Sequence, residues 1–134
     1  MGLFGCLRDA HIFNLTVDSA VMDGNAMTGA VAGYVYNSRL TAVSLTGRNT
    51  ITGHSSERGN AERIGGVLGG GKNCLVDSCA ANDVEITTGE NTFETGAIVG
   101  GTMNEQAAAF FMEDCTASVT LNGEEVPLSE KKPE

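Results

Sequence analysis

"GGVLGGGKNC", residues 65–74, holds the run Gly66-x-x-x-x-Gly71-Lys72. It stops one residue short of a phosphate-binding loop, because Asn73 stands where Ser or Thr would hold magnesium. How these glycines are read decides the fold. A nucleotide cradle needs a helix opening directly behind it, so that amides and dipole face the anion. A structural corner needs no helix. The continuation "KNCLVDSCAANDV", residues 72–84, alternates apolar and polar side chains and lacks helical spacing.

Three further stretches match this one: "GLFG" from Gly2, "GAVAG" from Gly29 and "GAIVG" from Gly96. Anchored on their last glycines, the four copies align at Gly5, Gly33, Gly69 and Gly100. Three residues earlier stands a small residue, Gly2, Ala30, Gly66 or Ala97, followed by a branched apolar one, Leu3, Val31, Val67 or Ile98. Four residues after the anchor come Asp9, Asn37, Asn73 and Asn104, types that favour turns and tolerate left-handed backbone. Further on, Ile12, Leu15 and Val17 match Leu40, Val43 and Leu45, then Val76, Cys79 and Ala81. The fourth copy keeps the same internal spacing at Met112, Cys115 and Ala117, displaced by an insertion. Gly71 and Lys72 align with Val35 and Tyr36, so the repeat demands neither glycine nor cation there. The alignment predicts a corner, not a nucleotide site.

The anchors recur about every thirty residues, a supersecondary period. No amphipathic helix pairs with the strands, which disfavours leucine-rich, ankyrin and helical repeats. Short strands with inward apolar positions recurring once per copy predict an all-β chain folded as a parallel β-solenoid. Composition agrees: 134 residues make one domain, Gly numbers 18, and aromatics are 5% with no Trp. The formal charge of −9 disfavours nucleic acid and anionic membrane surfaces as partners. No segment is apolar for long enough to insert into a bilayer, and no secretory signal is present in this stretch. Cys6, Cys74, Cys79 and Cys115 lack metal-ligand spacing, and His11 and His54 do not complete a site.

The pattern G-x-[apolar]-x-G, the Asn-containing turn and the "NLTV" and "DSC" strands resemble GLUG-type repeats. The stretch "GLFGCLRDAHIFNLTVDSAVMDGNAMTGAVAGYV", residues 2–35, is especially close to them. The resemblance spans residues 2 to about 123. It implies a right-handed parallel β-helix, here a short one of about four coils, on the exterior of a bacterial cell. Such repeats occur in lipoproteins and adhesin-like proteins of gut Bacteroidetes, and as accessory segments of immunoglobulin A-cleaving metallopeptidases. The peptidase motif H-E-x-x-H is missing from this chain, so no protease activity carries over. The irregular period and the insertions in the second and fourth copies depart from the family pattern.

The resulting layout is one domain over residues 1–123, with copies at about 1–27, 28–63, 64–94 and 95–123, then a charged tail at 124–134. The tail, "EEVPLSEKKPE", carries both prolines and is expected to leave the stack. Met1 runs straight into a full repeat without a cap. The chain is therefore read either as a piece of a longer protein or as one whose first coil meets another molecule, end-to-end self-association included.

Insertions in a solenoid emerge as loops, and loops on a rigid scaffold often bind partners. The largest is "GHSSERGNAER", residues 53–63. It is either a solvated loop or a partner-binding one acting through His54, Glu57, Arg58, Glu62 and Arg63. The partner expected is a protein or glycan on a host or neighbouring cell. In "TMNEQAAAFFM", residues 102–112, one of Phe110 and Phe111 is expected to plug the core end, unless the pair is a contact surface. Asp77 and Glu113 share a repeat position, as do Ser78 and Asp114. These carboxylates are either solvated charges or an acid/base or calcium site of the kind found on carbohydrate-active β-helices. Cys79 and Cys115 share an inward column, as buried thiols or as a disulfide. No catalytic residue, cofactor or metal ligand is assigned, and the chain reads as a non-enzymatic structural or adhesive module of a bacterial surface or secreted protein.

Overall fold

The computed structural model of the chain describes residues 1–25, 27–54, 62–88, 93–102 and 110–128. Over these residues the protein is all-β with parallel sheets. The first copy forms β1 (Phe4–Arg8), β2 (His11–Phe13), β3 (Thr16–Asp18) and β4 (Val21–Asn25). The second forms β5 (Ala32–Thr41), β6 (Ser44–Thr46), β7 (Asn49–His54) and β8 (Glu62–Gly65). The third forms β9 (Leu68–Asp77), β10 (Ala80–Thr88) and β11 (Phe93–Gly96). The fourth forms β12 (Val99–Thr102), β13 (Phe110–Glu113), β14 (Thr116–Leu121) and β15 (Glu124–Glu125).

Strands pair with their counterparts in the next copy. One sheet runs β1-β5-β9-β12, with β2 on β5 and β13 on β9. A second joins β3, β6, β10 and β14, with β7 pairing both β4 and β10. A third pairs β8 with β11. The register agrees with the glycine alignment. Cys6 pairs with Tyr34, Tyr34 with Gly70 and Gly70 with Gly101, each one residue beyond its anchor. Nothing resembling a nucleotide loop is formed by the opening stretch. Gly71 and Lys72 lie within β9 opposite Val35 and Tyr36.

Three of the four anchor glycines, Gly33, Gly69 and Gly100, are required because backbones cross there, whereas Gly5 in the first copy has open space at its Cβ position. A Cβ on Gly69 would lie 2.6 Å from the Gly33 carbonyl oxygen and would collide with the backbone nitrogen of Thr28. One on Gly66 would run into the Ala97 carbonyl oxygen. Parallel pairing in register then stacks like on like in the interior. Ile12, Leu40, Val76 and Met112 form one column, and Val17, Leu45, Ala81 and Ala117 another. A third, Met22, Ile51, Ile86 and Leu121, escaped the sequence alignment. Leu40, Leu45, Ile51 and Ile86 are fully buried, each contributing about 1.5–3 kcal/mol by leaving water. Ile12, Val17 and Met22 are only partly buried, because the first copy has a neighbour on one side.

Left-handed residues turn the chain between strands. Asp9, Asn37 and Asn73 have φ of 51°, 50° and 54° at the predicted position; Asn104 lies outside the described residues. A second column, Asn14, Ala42, Ser78 and Asp114, holds φ of 54°, 54°, 54° and 53°. A third comprises Ser19, Gly47 and Asp83.

The tail departs from its expected path. Asn122 and Gly123, both at positive φ, reverse the chain so that β15 pairs antiparallel with β14. Val126 then donates its backbone N–H to the Val119 carbonyl, and Val126 and Leu128 pack on the core. Residues 124–128 thus fold back on the sheet, because an Asn-Gly turn outweighs the charge and proline that suggested a departure. Residues 129–134 lie outside the described residues.

Candidate binding surface

The first corner builds a polar surface across three copies. Asn37 donates from Nδ2 to Asp9 Oδ1 at 2.5 Å and accepts from Asn73 Nδ2 at 2.6 Å. Left-handed backbone aims all three side chains along one line, so the amides join into a ladder. Just before the corner, Arg8, Tyr36 and Lys72 pair in register, with Arg8 5.4 Å and Lys72 5.9 Å from the Tyr36 ring centre. Just after it, His11, Arg39 and Leu75 do the same. Arg39 lies 3.6 Å from Asp77 with half its side chain exposed. His11 Nε2 is 3.4 Å from Thr41 Oγ1, and its ring tilts against exposed Phe13 with centres 5.1 Å apart. Sequence alignment recovered the Asn column because the residue type repeats. It missed the flanking columns because their chemistry changes from copy to copy.

Of the 53–63 stretch, residues 53, 54, 62 and 63 are among the described residues. Glu57 and Arg58 lie outside the described residues. His54 ends β7 and its Nε2 sits 2.5 Å from Asp23 Oδ1 on the adjoining β4, both side chains being exposed. Glu62 and Arg63 begin β8, where the Arg63 carbonyl accepts from the Thr28 N–H. Phe110 and Phe111 open β13 opposite Cys74 and Leu75; their side chains lie outside the described residues.

Asp77 and Glu113 are register partners on β9 and β13, and Ser78 and Asp114 are the left-handed residues that follow them. Asp77 is engaged by Arg39 and by the Ser78 hydroxyl, which donates at 2.8 Å. Both aligned carboxylates are half-buried rather than enclosed. Among the described residues no three His, Cys, Asp or Glu side chains gather as a metal site.

Cys79 and Cys115 stack as predicted, since the Ala80 N–H donates to the Val43 carbonyl and the Thr116 N–H to the Cys79 carbonyl. No disulfide joins them. A hydrogen bond with Cys115 holds the Cys79 thiol below its ordinary range, against burial, which acts the other way. Burial pushes the Cys74 thiol up, and its Sγ donates to the carbonyls of Lys72 at 3.1 Å and Val35 at 3.3 Å. Cys6 is exposed.

No helix among the described residues is long and apolar enough to cross a membrane. No family model, curated protein or solved structure matches the chain.

Proposed function

We propose that this protein is a non-catalytic structural or adhesive repeat module of a bacterial surface or secreted protein, wound as a short right-handed parallel β-helix of about four coils. The observation that carries this reading is the repetition itself. Each copy pairs in parallel with the next at the same register, turns on left-handed residues at the same positions, and fills the same interior columns. Such stacking makes a stiff body whose outer side chains vary while its interior does not. The resemblance to GLUG-type repeats supports a location outside the cell. The acidic surface makes protein or glycan the preferred partner over nucleic acid.

Immobilised protein probed with arrays of glycans and extracellular matrix proteins tests the adhesive role. Saturable binding without turnover supports it, and cleavage of a bound polysaccharide overturns it. The second reading, a carbohydrate-active β-helix, is favoured by the pairing of Asp77 with Glu113 beside Asp114. It requires depolymerisation that Asp77→Asn abolishes. The exposed Leu3, Phe4 and Val21 make the first copy the place for end-to-end self-association, read as a concentration-dependent sedimentation coefficient.

A further inference from the structure

A shallow, open groove of about 510 Å³ runs across the first three copies at the first corner. Its walls are the Asp9–Asn37–Asn73 ladder on one side and the His11–Arg39 column on the other. From this geometry we propose that the groove is a carbohydrate subsite for a sugar bearing a carboxylate, a uronic or sialic acid residue. The proposal rests on the adhesive reading and assigns its ligand class and lining residues, none of which belongs to the 53–63 stretch.

Four features of the groove fit such a sugar. Its length is that of three paired strands, about 10 Å, enough for a disaccharide. The ladder spends one amide hydrogen of Asn37 and one of Asn73 on internal bonds, and each Nδ2 retains a second for a ring hydroxyl. Asp9, at the ladder's end, is an acceptor for hydroxyl donors. The ladder is fixed before any ligand arrives, which limits the ordering cost of binding.

Charge selects the acidic sugar. The chain has eight Lys and Arg residues and a formal charge of −9. Of these, Arg39 lines the groove beside His11, while Lys72 stands next to the lining residue Asn73 and Arg8, 3.8 Å from the Asp9 carboxylate, next to Asp9. Arg39 uses one nitrogen toward Asp77 and keeps the rest of its donor fork on the exposed side. Lys72, adjacent to Asn73, is held over the Tyr36 ring, and among the described residues no carboxylate is its ion-pair partner. Exposed Phe13, braced against His11, offers a flat apolar face to the C–H side of a pyranose.

Calorimetric titration of the full chain with trigalacturonate and sialyllactose, beside the neutral cellotriose and lactose, tests the assignment. Acidic sugars bind, neutral ones bind more weakly, and added salt weakens the acidic complex. Arg39→Gln and Lys72→Glu each lower affinity for the acidic sugar by about ten- to a hundredfold. Lys72 lies outside the core, so Lys72→Glu and the salt dependence carry the test if Arg39→Gln does not fold. Equal binding of acidic and neutral sugars, or acidic binding that survives both substitutions, overturns the subsite and leaves the adhesive role standing. An absence of binding to every glycan and matrix protein overturns both.

Discussion

Asn73 donates from its side-chain amide to Oδ1 of Asn37 at 2.6 Å, and both residues hold left-handed backbone, with φ of 54° and 50°. The bond and the conformation support one another. Left-handed backbone costs an ordinary L-residue about 1–2 kcal/mol, and Asn offsets this by local hydrogen bonding. Asn37→Ala loses both compensation and ladder, so it should lower stability by about 1–2 kcal/mol in urea denaturation, whereas Asn37→Gly should cost less.

The same reasoning marks Ala42 as the misfit of the next corner. It adopts φ of 54° where Asn14, Ser78 and Asp114 stand in the other copies. Ala42→Asn is expected to stabilise the protein by about 1 kcal/mol, seen as a higher urea midpoint with an unchanged slope. A lower midpoint would show that side-chain crowding outweighs backbone relief.

The anchor glycines offer a contrast within one column. A Cβ at Gly69 meets backbone atoms of Thr28 and Gly33 that cannot withdraw, whereas nothing lies within 4 Å of the Cβ position at Gly5. Gly69→Ala should therefore destabilise by about 3 kcal/mol or more, or prevent folding. Gly5→Ala should be neutral or stabilise by about 0.5 kcal/mol through the unfolded chain. Comparable losses at both positions would refute close backbone approach as the reason for the repeat.

Burial depth grades the interior in the same way. Leu40 is fully enclosed between Ile12 and Val76, while Ile12 belongs to the end copy and is only partly covered. Leu40→Ala should cost about 2–5 kcal/mol and Ile12→Ala clearly less, by equilibrium unfolding.

What the sequence revealed follows the same division. Gly33 and Gly69, or Leu40 and Val76, could be aligned because one physical demand recurs in each copy and admits few residue types. The outer columns obey no such demand: Arg8 and Lys72 are cations, but Tyr36, which stands between them in register, is not, so the column is visible only in the fold. Asn49 is another case. It is fully buried at a position that neighbouring copies fill with Ala20 and Val84, and it accepts from the Ala20 N–H while donating to the Asn82 carbonyl. Single-copy polar hubs of this kind leave no periodic trace. The β14–β15 reversal did leave a signal, Asn122-Gly123, which tail composition obscured.

Cys74 links packing to pH. Burial keeps its thiol protonated above the ordinary range near 9, while in the unfolded chain the same thiol ionises near that range. Below it, both states hold the proton and the stabilisation is fully present. As pH rises past it, the unfolded state sheds its proton first and binds fewer protons than the folded state, so stability falls until the folded thiol also ionises. Ser38 occupies the paired position on β5 and donates its hydroxyl to the Tyr36 carbonyl at 2.8 Å, so Cys74→Ser should keep a donor while removing the titration. The parent's urea midpoint is expected to drop more steeply than the variant's between about pH 8 and about pH 10, where unfolded thiols ionise. Titrating groups that do not interact with Cys74 are common to both chains and cancel in the difference. Tyr34, pushed up by burial and then by the neighbouring Cys6 and Cys74 thiols, loses its Cys74 contribution in the variant, and that change is part of the Cys74 effect. Parallel pH profiles would show that Cys74 ionises alike in both states and that its burial does not govern the alkaline limb.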